Sequence, residues 1–132
     1  MVQFGLYIDY KRGDNMRITI GGCRDFNDYE IFKEFVKEYI EGLNDKEIVI
    51  LSGHCTGTDL MAERYAWENG YETELYPAQW DKYGRAAGPK RNKEMIDKSD
   101  CVLAFWDGKS RGTGNLIETA KRLSKHVEIK YI

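Results

Sequence analysis

Apolar residues fall along this chain in two alternating rhythms. Ile48-Val49-Ile50-Leu51 and Cys101-Val102-Leu103-Ala104-Phe105-Trp106 are unbroken apolar runs. Each is too short for a helix and lacks the polar alternation of a half-wet strand, so each predicts a strand buried on both faces. Arg17-Ile18-Thr19-Ile20 predicts a third strand, ending in Gly21-Gly22. Glu72-Thr73-Glu74-Leu75-Tyr76 is short and polar, and Val127, Ile129 and Tyr131 alternate with charges. Both read as edge strands. Between these runs the spacing becomes helical. Ile31, Phe32, Phe35, Val36, Tyr39 and Ile40 mark the best amphipathic helix, with Asn27 as its expected N-cap and Glu30 three residues on. Leu60, Met61, Ala62, Tyr65, Ala66 and Trp67 mark a second, closed by Gly70. Pro89 is expected at the first position of a third, which carries Arg91, Asn92, Met95 and Ile96. Leu116, Ile117, Ala120 and Leu123 mark the last, with Lys121, Arg122 and Lys125 in its closing turns.

The order is βα four times, closed by a strand. It predicts one three-layer α/β domain over residues 17–132, with a five-stranded, mostly parallel sheet and helices on both faces. Residues 1–16, with Phe4, Leu6, Tyr7, Ile8 and Tyr10, read as an extended N-terminal arm.

In such folds ligands bind outside the carboxyl ends of the strands. Three glycine-containing turns belong at those ends: Gly21–Asp25, Ser52–Asp59 and Asp107–Gly114. A turn of small residues before a helix leaves backbone N–H groups free for a phosphate or carboxylate. A plain βα loop, whose glycines serve only the turn, is the alternative for each. No Gly-Lys-Ser/Thr closes any of them, so none is a Walker loop. The candidate ligand-binding residues are Gly22, Arg24 and Asp25 from the first turn and Ser52, Gly53, Gly57, Thr58 and Asp59 from the second. Trp106, Asp107, Gly108, Ser110, Gly112 and Thr113 come from the third, and Trp80, Arg85 and Asn92 from the segment between. Arginines offer phosphate a planar donor fork, although a surface salt bridge is their commoner fate. Trp80 and Trp106 present faces on which a base can stack, with core packing as the plainer role of Trp106. Asp25 and Asp107 suit ribose hydroxyls or a general base, or simply cap a helix.

Composition narrows the partners. A net charge of −2 over 132 residues gives duplex nucleic acid no electrostatic footing. The three cysteines, Cys23, Cys55 and Cys101, are odd in number and form no C-x-x-C pair, which argues against a disulfide framework. No apolar run reaches membrane-spanning length and no signal pattern opens the chain, so a cytoplasmic protein away from membranes is expected. His54, Cys55 and Cys23 fit no standard zinc spacing, and neither a metal nor a cofactor is expected.

The motifs in order carry a resemblance. Gly53 with Gly57-Thr58-Asp59 comes first, then Pro77-Ala78-Gln79-Trp80 and Tyr83-Gly84-Arg85-Ala86-Ala87-Gly88-Pro89. Arg91-Asn92 with Met95 follows, and Phe105-Trp106 precedes Ser110-Arg111-Gly112-Thr113. Together they resemble the YspA-like branch of the SLOG superfamily, over roughly residues 17–132. The resemblance implies a Rossmann-like fold with strand order 3-2-1-4-5 and a nucleotide or nucleotide-derived ligand. It also implies a distant likeness to the "lonely guy" phosphoribohydrolases. Arg91 and Ser99-Asp100 stand where that pattern wants them, but Trp106-Asp107-Gly108 replaces its Pro-Gly-Gly. Leu116 occupies the position of its Glu, and Glu118 is the nearest carboxylate. Arg91 and Glu118 are therefore the candidate catalytic pair. Two functions follow as expectations: a module that senses or sequesters an ADP-ribose-like nucleotide, or an enzyme that hydrolyses a nucleotide N-glycosidic bond. The apolar arm adds an expected homodimer or larger assembly.

Overall fold

The computed structural model describes residues 15–44 and 47–132. Five strands, β1 (Asn15–Gly22), β2 (Glu47–Ser52), β3 (Glu72–Leu75), β4 (Cys101–Trp106) and β5 (His126–Tyr131), form one sheet. The order is β3-β2-β1-β4-β5, as the resemblance implied, and every neighbouring pair is parallel. The helices are α1 (Tyr29–Glu41), α2 (Thr58–Asn69), the single turn α3 (Trp80–Tyr83), α4 (Ala87–Asp97) and α5 (Arg111–Arg122). A 3₁₀ turn, Gly84–Ala86, joins α3 to α4. The three-layer Rossmann-like architecture expected from the sequence is the one observed. The arm expected over 1–16 lies outside the described residues except for Asn15 and Met16, which open β1.

The continuous apolar strands are interior because each of their faces meets a helix layer. Ile18, Ile20, Ile50, Leu103 and Phe105 point to the α1–α2 layer. Phe32 stacks on Phe105 at 5.0 Å between ring centroids, and Phe35 meets the same ring edge-on at 5.3 Å. Val49, Leu51, Val102 and Ala104 point the other way, onto Met95, Ile96, Leu116 and Ile117 of α4 and α5. Full burial of a side chain of this size is worth about 1.5–3 kcal/mol. The two apolar faces of β1, β2 and β4 thus hold both helix layers. The polar β3 and alternating β5 take the edges.

Two local expectations are corrected. Asp28, not Asn27, caps α1, since its Oδ1 accepts from the Ile31 N–H at 3.2 Å. Asn and Asp are about equally good N-caps, so residue type does not choose between the two neighbours; Asp28 has the extended backbone that a cap requires. Pro89 is the third residue of α4 rather than the first. It is tolerated there because amides of the first turn have no helical acceptor in any case. The 3₁₀ turn leads straight into that first turn.

With every strand parallel, all carboxyl ends share one edge. β1 and β4 are central neighbours, paired Gly22 to Phe105 at that edge. The chain leaves β1 towards α1 on one face and leaves β4 towards α5 on the other. That divergence is the switch point at which such sheets open a crevice.

Candidate functional site

A cleft of about 750 Å³ opens at this switch point. Its floor is the end of β1, Gly21 and Gly22, with Leu116 and Met95. Arg24 and Asp25 come from the β1–α1 loop, and Cys55 and Asp59 from the β2–α2 turn. Trp80, Arg85, Arg91 and Asn92 come from α3 to α4, and Asp107, Ser110, Arg111, Gly112, Thr113 and Asn115 from the β4–α5 turn and α5. Four guanidiniums therefore share one cleft with three carboxylates. Among the described residues, none of these four arginines forms a salt bridge.

Gly22 is required by close approach. A Cβ there would lie 2.5 Å from the Phe105 carbonyl oxygen and 2.8 Å from Thr58 Oγ1. Its bare backbone lets β4 and the start of α2 come up against β1. Thr58 completes that junction, donating from both its N–H and its Oγ1 to the Cys23 carbonyl, at 3.3 and 2.9 Å.

The β2–α2 turn is closed upon itself. The His54 N–H donates to Ser52 Oγ at 3.1 Å, and the Cys55 N–H donates to Asp59 Oδ2 at 3.2 Å. Ser52 Oγ in turn donates to Glu63 Oε2 at 2.8 Å, and the same carboxylate holds His54 Nδ1 at 2.9 Å. Arg91 ties the turn to α4. Its Nη1 donates to the Gly53 carbonyl at 2.7 Å and the Tyr76 carbonyl at 3.1 Å, while its Nε donates to Asn92 Oδ1 at 3.0 Å. Only Nη2 is left towards the cleft, with the Cys55 sulfur 3.9 Å away. Asn92 passes the connection on, donating from Nδ2 to Asn115 Oδ1 at 2.9 Å.

The β4–α5 turn is open. Asp107 Oδ1 accepts from the Lys109 and Ser110 N–H groups, both at 2.8 Å, and those bonds hold its carboxyl below the usual carboxylate range. Gly108 takes a left-handed φ of 82° to make that turn. Ser110 caps α5, its Oγ accepting from the Thr113 N–H at 3.4 Å. The Arg111 and Gly112 N–H groups, first in the helix, have no acceptor among the described residues, and a Cβ on Gly112 would meet nothing within 4 Å.

Asp59 is the one buried carboxylate of the cleft, 6% exposed. Burial pushes it up to about 6, against the Cys55 N–H, the Arg91 charge and the Gly22 N–H, which hold it down; Glu63, one turn along α2, pushes it up further. Burial also raises the Cys23 thiol, which leaves it protonated and a poor nucleophile. Among the described residues, no three His, Cys, Asp or Glu side chains gather as they would around a metal ion.

The cleft thus brings together Gly22, Arg24, Asp25, Asp59, Trp80, Arg85, Arg91, Asn92, Asp107, Ser110, Gly112 and Thr113 of the residues singled out from the sequence. Ser52, Gly53, Gly57 and Thr58 stand behind its wall, in the closed turn. Gly108 lies in the bend beside it. Trp106 packs on the α4–α5 side, its Nε1 donating to the Ser110 carbonyl at 3.0 Å and its ring against Tyr131. Glu118 lies on the exposed face of α5, outside the cleft. Arg111, Asn115 and Leu116 are cleft residues that spacing alone did not single out. The available signal was position, since Arg111 and Asn115 are four apart and so share one face of the first turns of α5. Gly88 is another, for a Cβ there would sit 3.2 Å from the Trp80 ring that closes the mouth. The Arg24 guanidinium lies over the Trp80 ring, 5.6 Å from its centroid.

Comparison with known proteins places these features in context. A family model described as YspA, cpYpsA-related SLOG (YAcAr) matches residues 16–83, just over half of the chain. The match takes in the first two turns and ends before Arg91 and α5. The Gene 61 protein of Mycobacterium phage D29 is 36% identical over 81 residues, covering 57% of this chain and 65% of its own length. The chain therefore spans a little under two thirds of that relative. DNA processing protein A of Streptococcus pneumoniae has a similar fold, with a TM-score of 0.66 over 86% of this chain and 50% of its own, at 21% identity. Among the described residues no helix is long and apolar enough to cross a membrane.

Proposed function

The chain belongs to the YspA, cpYpsA-related SLOG family, which in general takes nucleotide-related ligands, and from that premise we propose that the cleft binds an ADP-ribose-like nucleotide as a sensing or sequestering module. The observation that carries this reading is the free N-terminus of α5 beside four guanidiniums that form no salt bridge among the described residues. The Arg111 and Gly112 N–H groups and the positive helix end suit a phosphate, with Arg111, Arg85 and the spare Nη2 of Arg91 as side-chain cations. Asp25 and Asp107 suit ribose hydroxyls. Trp80, 45% exposed at the mouth, suits a base. In this reading the phosphate belongs on the β4–α5 turn, because the His54, Cys55 and Thr58 amides of the β2–α2 turn are occupied internally and the Asp59 carboxylate already lies there.

Hydrolysis is the weaker reading. Leu116 on the floor takes the position of the carboxylate that the resemblance calls for, and Glu118 faces away from the cleft. Self-association through the apolar N-terminal residues is part of the same proposal, and light scattering on the full chain checks it. The test of the main reading is calorimetry with AMP, ADP, NAD and ADP-ribose, together with chromatography for released base and ribose phosphate. We expect binding of the diphosphate compounds without turnover. Arg111→Ala should weaken it by about ten- to a hundredfold, the range of one charge-assisted hydrogen bond. Release of base would move the assignment to the hydrolase. No binding by any of the four would sink it.

A further inference from the structure

Resting on the nucleotide reading above, we propose that Asp59 is a resident anion of the cleft and that an anionic ligand binds together with one proton, taken up by this carboxylate. The placement carries the idea. The carboxylate lies between the ends of β1 and β2: a Cβ on Gly21 would be 3.6 Å from its Oδ1, and one on Gly53 would be 2.9 Å from its Oδ2. It takes the Cys55 N–H, so it fills from within the turn that would otherwise offer amides to a phosphate. It is nearly sealed from solvent and still lines the cavity. A phosphate entering that cavity brings like charge against a carboxylate that water cannot screen, and the protonated acid removes the conflict.

The neighbouring charges single out Asp59 as the group that responds. From its own helix Glu63 faces it, and from α4 Arg91. From the β2–α2 turn come Cys55, which gives its N–H, and His54, whose ring is tied to Glu63. The β1–α1 loop contributes Cys23, Arg24 and Asp25, and the β4–α5 side contributes Asp107 and Arg111. Asp107 is held ionised by two N–H groups and Cys23 is held protonated by burial, so neither changes state near neutrality. Asp59, lifted to about 6 in the empty cleft, needs only a modest further push to be protonated at pH 7. The balance is simple: ionised protein, ligand and one proton give the loaded, protonated complex, with no covalent bond made or broken apart from the O–H. By linkage, affinity then falls by up to about tenfold per pH unit above the range in which free Asp59 titrates.

ADP-ribose is the probe, because its diphosphate carries no group titrating between pH 5 and 8. Calorimetry on the full chain, in two buffers of different ionisation enthalpy, should show uptake of close to one proton at pH 7.5, and affinity should rise about tenfold from pH 7.5 to 6.5. Asp59→Asn keeps an acceptor for the Cys55 N–H and removes the charge. It should abolish the uptake, flatten the pH profile and bind at pH 7.5 at least as tightly as the parent. Carbon NMR of the Asp59 carboxyl in the parent protein gives a check that does not depend on the variant folding. Its titration near 6 should move above about 8.5 when ADP-ribose is present, as uptake of close to one proton at pH 7.5 requires. Binding without proton uptake, uptake retained in Asp59→Asn, or a free carboxyl titrating below 4.5 would each overturn the proton coupling and leave the nucleotide reading standing. No binding by either protein at any pH would overturn both.

Discussion

The two turns that face each other across the cleft are alike in composition and opposite in construction. Ser52–Asp59 and Asp107–Thr113 each pack glycine, serine and threonine ahead of a helix. In the first, three amides are consumed inside the protein, one carbonyl is held by Arg91, and Asp59 fills the anion position. In the second, one exposed aspartate and one serine organise the bend, and the first two helix amides have no acceptor among the described residues. A small-residue turn before a helix is therefore a capacity for binding anions. Whether it is used depends on what the neighbouring helices send into it. Here α4 sends the charged Arg91 into the first turn, while the second receives, among the described residues, only neutral donors on its carbonyls: Asn92 Nδ2, 3.5 Å from the Gly112 oxygen, and Trp106 Nε1, 3.0 Å from that of Ser110.

Changes on the closed side should be costly and changes on the open side cheap. Arg91→Ala should have the largest effect. It removes two charge-assisted hydrogen bonds to carbonyls, each worth about 1.5–3 kcal/mol, and leaves Asp59 without its cation. We expect a loss of about 3–4 kcal/mol in urea unfolding. A full-stability Arg91→Ala protein would show that the β2–α2 turn holds itself. Gly53→Ala comes next, because its Cβ would run into the Arg91 guanidinium and Asp59 Oδ2. Overpacking of this kind costs about 1–3 kcal/mol. Combined with Arg91→Ala, it should cost much less than the sum of the two, since the clash partner is gone.

Asp59→Asn should act in the opposite direction and with a pH dependence. The native carboxyl sits near 6 against its ordinary value near 3.8. The folded state thus holds the proton more tightly than the unfolded chain. The stability this group contributes is complete below about pH 4 and is lost as pH rises through about 6. At pH 7.5 the variant should be more stable than the parent by about 1–3 kcal/mol, since each tenfold difference in proton affinity between the folded and unfolded chain is worth about 1.4 kcal/mol. The difference should vanish near pH 4. Thermal unfolding across that range checks it, and a variant destabilised at every pH would show that the hydrogen bonds of the carboxylate outweigh its burial. The smallest effect belongs to Gly112→Ala on the open side. Its Cβ meets nothing, and alanine in place of glycine in a helix gains up to about 1 kcal/mol. Unchanged or slightly raised stability with weakened ADP-ribose binding is expected, because the methyl group stands where the phosphate would approach.

Much of this molecule was legible from its residues alone. Continuous apolar runs at Ile48–Leu51 and Cys101–Trp106 could only be strands with two buried faces, and the polar β3 and alternating β5 could only lie at edges. Burial is a property of period and composition, so the layer architecture followed from pattern, and strand order from the resemblance carried by the motifs. The turns were also visible, because glycine and small hydroxyl residues mark them wherever they fall. What the linear order could not hold was the use of each turn. Arg91 is 38 residues from Gly53 in sequence and 2.7 Å from its carbonyl in space. Asp59 is a first-turn acid like many others until Gly21, Gly53 and Arg91 close around it. Trp106 turned into the α4–α5 layer and Glu118 out to solvent because a helix or strand has one inward face, and packing against the neighbouring layer decides which residues occupy it. Periodicity is local and survives in one dimension. Desolvation, charge pairing and competition for a hydrogen-bond donor act between distant segments, and only the tertiary structure brings those segments together.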